Sequence, residues 1–220
     1  MLIKSWIPSP FFSSRPSSCP LDMIVIHHIG SKNGKLYGAS GAIAWFTDKE
    51  LHRNPKTGAL ENKVSAHYIL PRAPYNQAEL IVLVKNEDVA YHAGESTWKV
   101  GGKTRTNINK YSIGIELEGD GNLIEYTDFQ YDRLAELVRE LMENYRIIEN
   151  NIVGHEDIAP DRKVDPGRLF DWKRLRSGIT PRIQIVVPES TPVPDKDFYM
   201  TSGVAAPRGI FSKLSSFLQP

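Results

Sequence analysis

The stretch Gly154-His155-Glu156-Asp157-Ile158-Ala159-Pro160-Asp161-Arg162-Lys163-Val164-Asp165-Pro166-Gly167 gathers a histidine, a lysine and several carboxylates into one short run. Pro160 lacks an amide proton and disfavours helix in the residue before it, and Pro166-Gly167 ends the turn that precedes it, so no long helix fits. Upstream, Asn151-Ile152-Val153 reads as a short buried strand, which puts His155 where that strand runs out. An imidazole nitrogen and a carboxylate oxygen on a stiff loop suit a divalent metal, and zinc accepts both ligand types. A loop this charged also suits a solvated surface turn, and the stretch alone leaves both readings open.

Composition narrows the chemistry. A single cysteine, Cys19, excludes an intrachain disulfide framework and a Cys-rich zinc module, so any metal is held mostly by His and Asp/Glu. Histidines stand at 27, 28, 52, 67, 92 and 155. A hydrogen-bonded structural or surface role is the expectation for His28 and His52, whereas His67 lies mid-strand and is left open between core and cleft. The net charge of +1 favours neither nucleic acid nor an anionic membrane. No stretch approaches a membrane span, and the apolar run at the start is broken by Pro8 and Pro10, too early for a signal peptide. The chain is therefore expected to be made as a cytoplasmic protein and to act elsewhere only if another agent carries or releases it.

At 220 residues with 40% hydrophobic content, one domain with short additions is expected. Residues 1–22, rich in Pro and Ser over 5–20, read as an extended wrap rather than an element, residues 23–177 as the folded domain, and 178–220 as a Pro-rich tail. Met23-Ile24-Val25-Ile26-His27-His28 reads as a central strand buried on both faces, so that one histidine of the pair points into the cleft. Residues 40–53 read as a helix with Ser40 as N-cap. Residues 64–70 and 80–84 read as paired strands, followed by a glycine-rich loop around Gly94 and Gly101-Gly102. In Ser112–Gly119 the alternation puts Ile113, Ile115 and Leu117 on one face and Gly114, Glu116 and Glu118 on the other. Asp128 to Tyr145 reads as a helix, with Thr127 and Gln130 as a capping box and Phe129, Leu134, Leu137, Val138, Leu141 and Tyr145 as its core stripe. Leu169 to Arg176 suits a short closing helix. From Gly178 prolines multiply, and Ile210, Phe211, Leu214, Phe217 and Leu218 share one helical face. Docking of that face on the chain's own domain is the plainer reading; a protein partner or a membrane contact through 210–218 is the other.

The order strand, helix, hairpin, strand, helix, strand predicts an α/β (α+β) single domain with a mixed central β-sheet flanked by helices. Ends of neighbouring central strands converge on one cleft in such sheets, which brings His27, Glu116 and His155 together, with Asp165 on the loop beyond.

Five segments then carry a likeness in order: Ile24-Val25-Ile26-His27-His28, Val64-Ser65-Ala66-His67-Tyr68, His92-Ala93-Gly94, Ser112 to Gly119, and Gly154-His155 through to Asp165-Pro166-Gly167. Together they resemble the zinc-dependent N-acetylmuramoyl-L-alanine amidases of the AmpD type, relatives of phage lysozyme-like amidases and peptidoglycan recognition proteins. Ser9-Pro10-Phe11-Phe12 with Arg15-Pro16 resembles that family's N-terminal wrap, so the likeness covers roughly residues 5–177.

The resemblance implies one Zn2+ per chain on His27, His155 and Asp165, with an open position for water as in catalytic sites. It implies Glu116 as general base and Lys163 as electrostatic helper near the oxygen that becomes negative. Substrate contacts are expected at His92, Arg105 and Asn109, and Gly114 is expected to leave room for substrate. The implied reaction cleaves the amide joining N-acetylmuramic acid to L-alanine in peptidoglycan or muropeptides. A short segment before Val64, a tail of about 40 residues and the lack of a wall-binding repeat leave intact wall and recycled muropeptide both open. A non-catalytic recognition module should lack a ligand or the base, and none is missing. A stem-peptide zinc peptidase has no H-E-x-x-H helix to support it.

Overall fold

The computed structural model describes residues 2–180; the expected tail stripe at 210–218 lies outside the described residues. Strands β1 (Lys4–Trp6), β2 (Phe12–Ser14), β3 (Met23–His28), β4 (Ser31–Lys32) and β5 (Lys35–Leu36) precede helix α1 (Ala39–Thr47). Next come β6 (Tyr68–Leu70), β7 (Leu80–Val82), β8 (Asp88–Ala90), β9 (Thr97–Val100), β10 (Lys103–Thr106) and β11 (Ser112–Leu117). Helix α2 (Asp128–Tyr145), β12 (Ile152–Gly154), the single turn α3 (His155–Ile158) and α4 (Trp172–Ile179) complete the order. Six strands build one mixed sheet in the order β1-β7-β6-β11-β3-β12, in which the β6–β7 pair alone is antiparallel.

The period of two in β11 decides the layers. Ile113, Ile115 and Leu117, with Ile24 and Ile26 of β3, pack against Leu134, Leu137, Val138 and Leu141 of α2 and Leu175 of α4. On the other face Ile69 and Ile81 meet Ala39, Ala42 and Phe46 of α1, while Met23, Val25 and Val153 meet Ala93, Ile108 and Ile158. The sheet is thus covered on both sides, as a largely parallel sheet requires.

Helix α2 begins as its sequence predicts. Thr127 Oγ1 accepts from the Gln130 amide at 3.1 Å and Gln130 Oε1 accepts from the Thr127 amide at 3.1 Å. The Gln130 side-chain amide also donates to the Glu118 carbonyl at 2.9 Å, which ties the cap to the sheet. Thr127→Ala should cost about 0.5–2 kcal/mol, read as a lower urea midpoint with unchanged slope; an unmoved midpoint would show that the cap carries no weight.

Several expectations need correction. The N-terminal wrap contributes two strands, β1 parallel to β7 and β2 antiparallel to β8. It is pinned by Arg15, whose guanidinium donates to the carbonyls of Asn86, Asp88, Asn109, Lys110 and Ser112. The first helix starts at Ala39 with Gly38, not Ser40, at its cap, and ends at Thr47, because Asp48 accepts from the Glu50 amide and starts a separate 3-10 turn. The regular strand in 64–70 is confined to β6; before it the Ser65 amide turns to the Tyr91 carbonyl, and the His67 amide meets the Gly114 carbonyl of β11. The glycine-rich loop is the β9–β10 hairpin, with Gly101 and Gly102 at positive φ (56° and 78°) as a two-residue turn demands. The closing helix starts later, capped by Asp171, and runs through Gly178 to Ile179. Gly178 is a packing position, not the start of the tail: a Cβ there would lie 2.8 Å from the Ala135 Cβ on α2.

Candidate active site

Three parallel strands end side by side. Glu116 of β11 is in register with His27 of β3, and Gly154 of β12 with Ile26, so His155 emerges level with His27. The Glu156 amide donates to the Asp165 carbonyl at 2.9 Å, which folds the loop so that Asp165 returns beside His155. Close backbone contact holds it there: a Cβ on Gly154 would meet Pro166 Cδ at 2.7 Å. The result is a buried triangle, with His27 Nδ1 2.9 Å from His155 Nδ1 and 3.1 Å from Asp165 Oδ2, and His155 Nδ1 3.0 Å from Asp165 Oδ2.

Proton placement around the triangle follows from its neighbours. His155 Nε2 lies 3.1 Å from the Ala93 carbonyl and must donate to it, so the neutral tautomer that fits carries its lone pair on Nδ1. The Ser112 hydroxyl gives its proton to the Ile108 carbonyl at 2.8 Å, so at 3.2 Å it accepts from His92 Nε2. His92 Nδ1 then accepts from His27 Nε2 at 2.9 Å, and His27 Nδ1 is bare as well. Burial lowers His27 to about 4, against the raising effect of Asp165, so it is neutral at pH 7. Two imidazole lone pairs and a carboxylate oxygen this close, without a proton between them, call for a cation. His27, His155 and Asp165 can hold a metal ion, and the donor set of two nitrogens and an oxygen fits zinc.

Above the triangle opens a cavity of about 1000 Å³, lined by these three residues, Glu116 and Lys163 among others. Burial raises the Glu116 carboxyl well above its ordinary value and the Asp165 charge adds to this, while Lys163 opposes it. Lys163 lines the cavity, and its charge acts on the Glu116 carboxyl.

The expected substrate contacts divide. His92 lines the cavity, but its ring fills the space over Gly114, where a Cβ would lie 2.4 Å from His92 Cγ. Gly114 therefore seats an imidazole and does not leave room for substrate. Asn109 is not brought to the cavity: its Oδ1 accepts from the amides of His92 at 3.0 Å and Ala93 at 2.7 Å. Nor is Arg105, which pairs with Asp22 at 2.6 Å and covers the Tyr111 ring. His67 is a core residue, accepting from the Gly114 amide at 3.0 Å. His52 is structural, between the carbonyls of Trp45 and Asn62. His28 lines the cavity beside His27, so both histidines of the pair reach it, although the Gly121 amide occupies His28 Nδ1. Unforeseen were Tyr37, Trp45, Leu123 and Val164, exposed apolar side chains on the cavity walls. Trp45, a large aromatic on the exposed side of α1, was the one readable signal among them.

The sequence profile of the family described as N-acetylmuramoyl-L-alanine amidase matches residues 17–168. The 1,6-anhydro-N-acetylmuramyl-L-alanine amidase AmpD of Citrobacter freundii is 38% identical over 177 residues, 80% of this chain and 89% of that protein. The N-acetylmuramoyl-L-alanine amidase AmiD of Escherichia coli (strain K12) is 39% identical over 126 residues, 52% of this chain and 44% of that one. A crystal structure of selenomethionine AmpD superposes with a TM-score of 0.67 at 36% identity, over 82% of this chain and 96% of that chain. The endolysin LysCS of Clostridium intestinale, 18% identical with a TM-score of 0.54, shares the fold.

Proposed function

Because this chain belongs to the N-acetylmuramoyl-L-alanine amidase family, we propose that the ion held by His27, His155 and Asp165 is zinc and that the substrate is a soluble anhydromuropeptide. The reaction is hydrolysis of the amide between N-acetylmuramic acid and L-alanine. Zinc, when bound, supplies a Lewis acid and lowers the pKa of water.

The chain's own residues supply the rest. Glu116, on the strand neighbouring His27, takes the proton of the attacking water and delivers it to the departing nitrogen of L-alanine, so the proton is returned and the carboxylate regenerated. Lys163 places a fixed positive charge on the cavity wall for the oxygen that becomes negative in the tetrahedral state. The walls formed by Tyr37, Trp45, Leu123 and Val164 offer apolar surface to a sugar ring and a short peptide.

The observation that carries this reading is the triangle of proton-free donors beside a buried carboxyl. The preference for an anhydro-sugar is supported by the AmpD relatives and by the solved AmiD complex with anhydro-N-acetylmuramic acid-L-Ala-D-gamma-Glu-L-Lys. The likeness to the AmpD relatives supports a cytoplasmic site of action. Among the described residues no helix is long and apolar enough to cross a membrane.

Mass spectrometry of products from purified sacculi and from a soluble anhydromuropeptide tests bond and substrate together. Free stem peptide beginning with L-alanine is expected, chiefly from the soluble substrate. Products in which L-alanine stays on the sugar would refute the assigned bond, and faster release from sacculi would refute the assigned substrate.

A further inference from the structure

Both metal-binding histidines are braced by the same dipeptide. His27 Nε2 meets the His92 ring at 2.9 Å and His155 Nε2 meets the Ala93 carbonyl at 3.1 Å. This dipeptide is not part of a strand: β8 ends at Ala90 and β9 begins at Thr97. Its two amides are held by one side chain, the buried Asn109, whose single oxygen accepts from both. Below, the His92 ring rests on Gly114 and ends on Ser112. Above, Arg162 donates to the carbonyls of Ala93 at 2.8 Å and Glu95 at 2.6 Å, joining the dipeptide to the loop that carries Asp165.

We propose that His92 and Asn109 are positioning residues that fix the rotation and tautomer of both ligating imidazoles at once, and so set the affinity for the ion; this rests on the metal reading given above. The physical reason is specific to these groups. An imidazole whose Nε2 proton is held by a fixed acceptor can neither rotate nor move that proton to Nδ1, so it presents the Nδ1 lone pair permanently. A carbonyl does this for His155. No carbonyl is described beside His27 Nε2, and His92 serves as acceptor there only because Ser112 has forced the His92 proton onto the far nitrogen. The relay from His27 through His92 and Ser112 to the Ile108 carbonyl therefore runs in one direction. Asn109 acts one step further back, by keeping the His92 and Ala93 backbone where both acceptors are within reach.

The test measures zinc affinity of the full chain by competition with a chromophoric chelator, for wild type, His92→Phe, His92→Asn and Asn109→Ala. Wild type should bind one ion per chain. His92→Phe keeps the space over Gly114 filled but removes the acceptor, and should weaken zinc binding by about 10–100-fold, the range found for partners of metal-ligating histidines. Asn109→Ala should weaken it similarly, and His92→Asn, whose amide oxygen falls near the Nδ1 position, should recover most of the loss. Long-range proton–nitrogen NMR of zinc-loaded wild type should show His92 neutral, with its proton on Nε2, whether or not a variant folds. A His92→Phe affinity within about twofold of a zinc-binding wild type, far below that range, would overturn the inference, as would a His92 proton on Nδ1. A wild type that binds no zinc would instead refute the metal reading, and this inference with it.

Discussion

Glu116→Gln is expected to keep its zinc and its fold yet lose about 10²–10⁴-fold in turnover, the range of a positioned general base. The substitution preserves shape and hydrogen-bonding reach and removes basicity alone. It also removes a negative charge from beside Asp165, which weakens the pull on a cation, but it takes away none of the three ligand atoms, so the ion is retained at saturating zinc. The pH profile gives a second reading of the same group. A general base acts when ionised, so activity is lost as pH falls through its pKa. Burial, and then Asp165, move that pKa upward, so the acid limb should lie above the ordinary glutamate range; Lys163 and a bound cation draw it back towards that range. The variant should lack that limb along with the rate. Rate measurements on a soluble muropeptide across pH, with zinc content per chain determined on the same samples, check both parts. A variant with full turnover would remove Glu116 from the mechanism.

The second large effect is expected at Asp165. Asp165→Ala should release zinc and activity together, with an affinity loss exceeding the 10–100-fold or so typical of a partner that merely orients a ligand. Without the carboxylate, two neutral imidazoles face each other with no anion to offset the charge of a dication. Asp165→Cys should restore part of the binding, because a thiolate is also a zinc ligand. Metal analysis after gel filtration decides the main point: an Asp165→Ala protein that still carries one zinc per chain would show that the site is built differently.

Much of this site was legible before any coordinates. Strand ends can be read from apolar runs and breakers, and His27, Glu116 and His155 each stand at such an end. Parallel register then does the rest, which is why the triangle and its neighbouring carboxyl assemble from chain segments far apart. The capping box at Thr127 and Gln130 was readable because both partners are local. What was not legible depends on side chains meeting across the fold. Nothing in the sequence around Gly114 says that an imidazole from residue 92 will rest on it, and so glycine was read as free space. Asn109 and Arg105 are polar residues near the right segment, yet one turns back to backbone amides and the other to Asp22. The cavity walls were missed for a similar reason: Tyr37, Trp45, Leu123 and Val164 come from separate segments with no shared period.

That arrangement bears on how such a protein could change over time. His27 and Glu116 are anchored to strands whose alignment cannot slip without losing the core, and His155 follows directly on a third. Tyr37 and Leu123 sit on connecting segments, which tolerate substitution and altered length far better than a ladder does, whereas Val164, between Lys163 and Asp165, is open to substitution only. Selection for a different glycopeptide could therefore act on those connections, one at a time, and leave the bond-breaking apparatus as it stands.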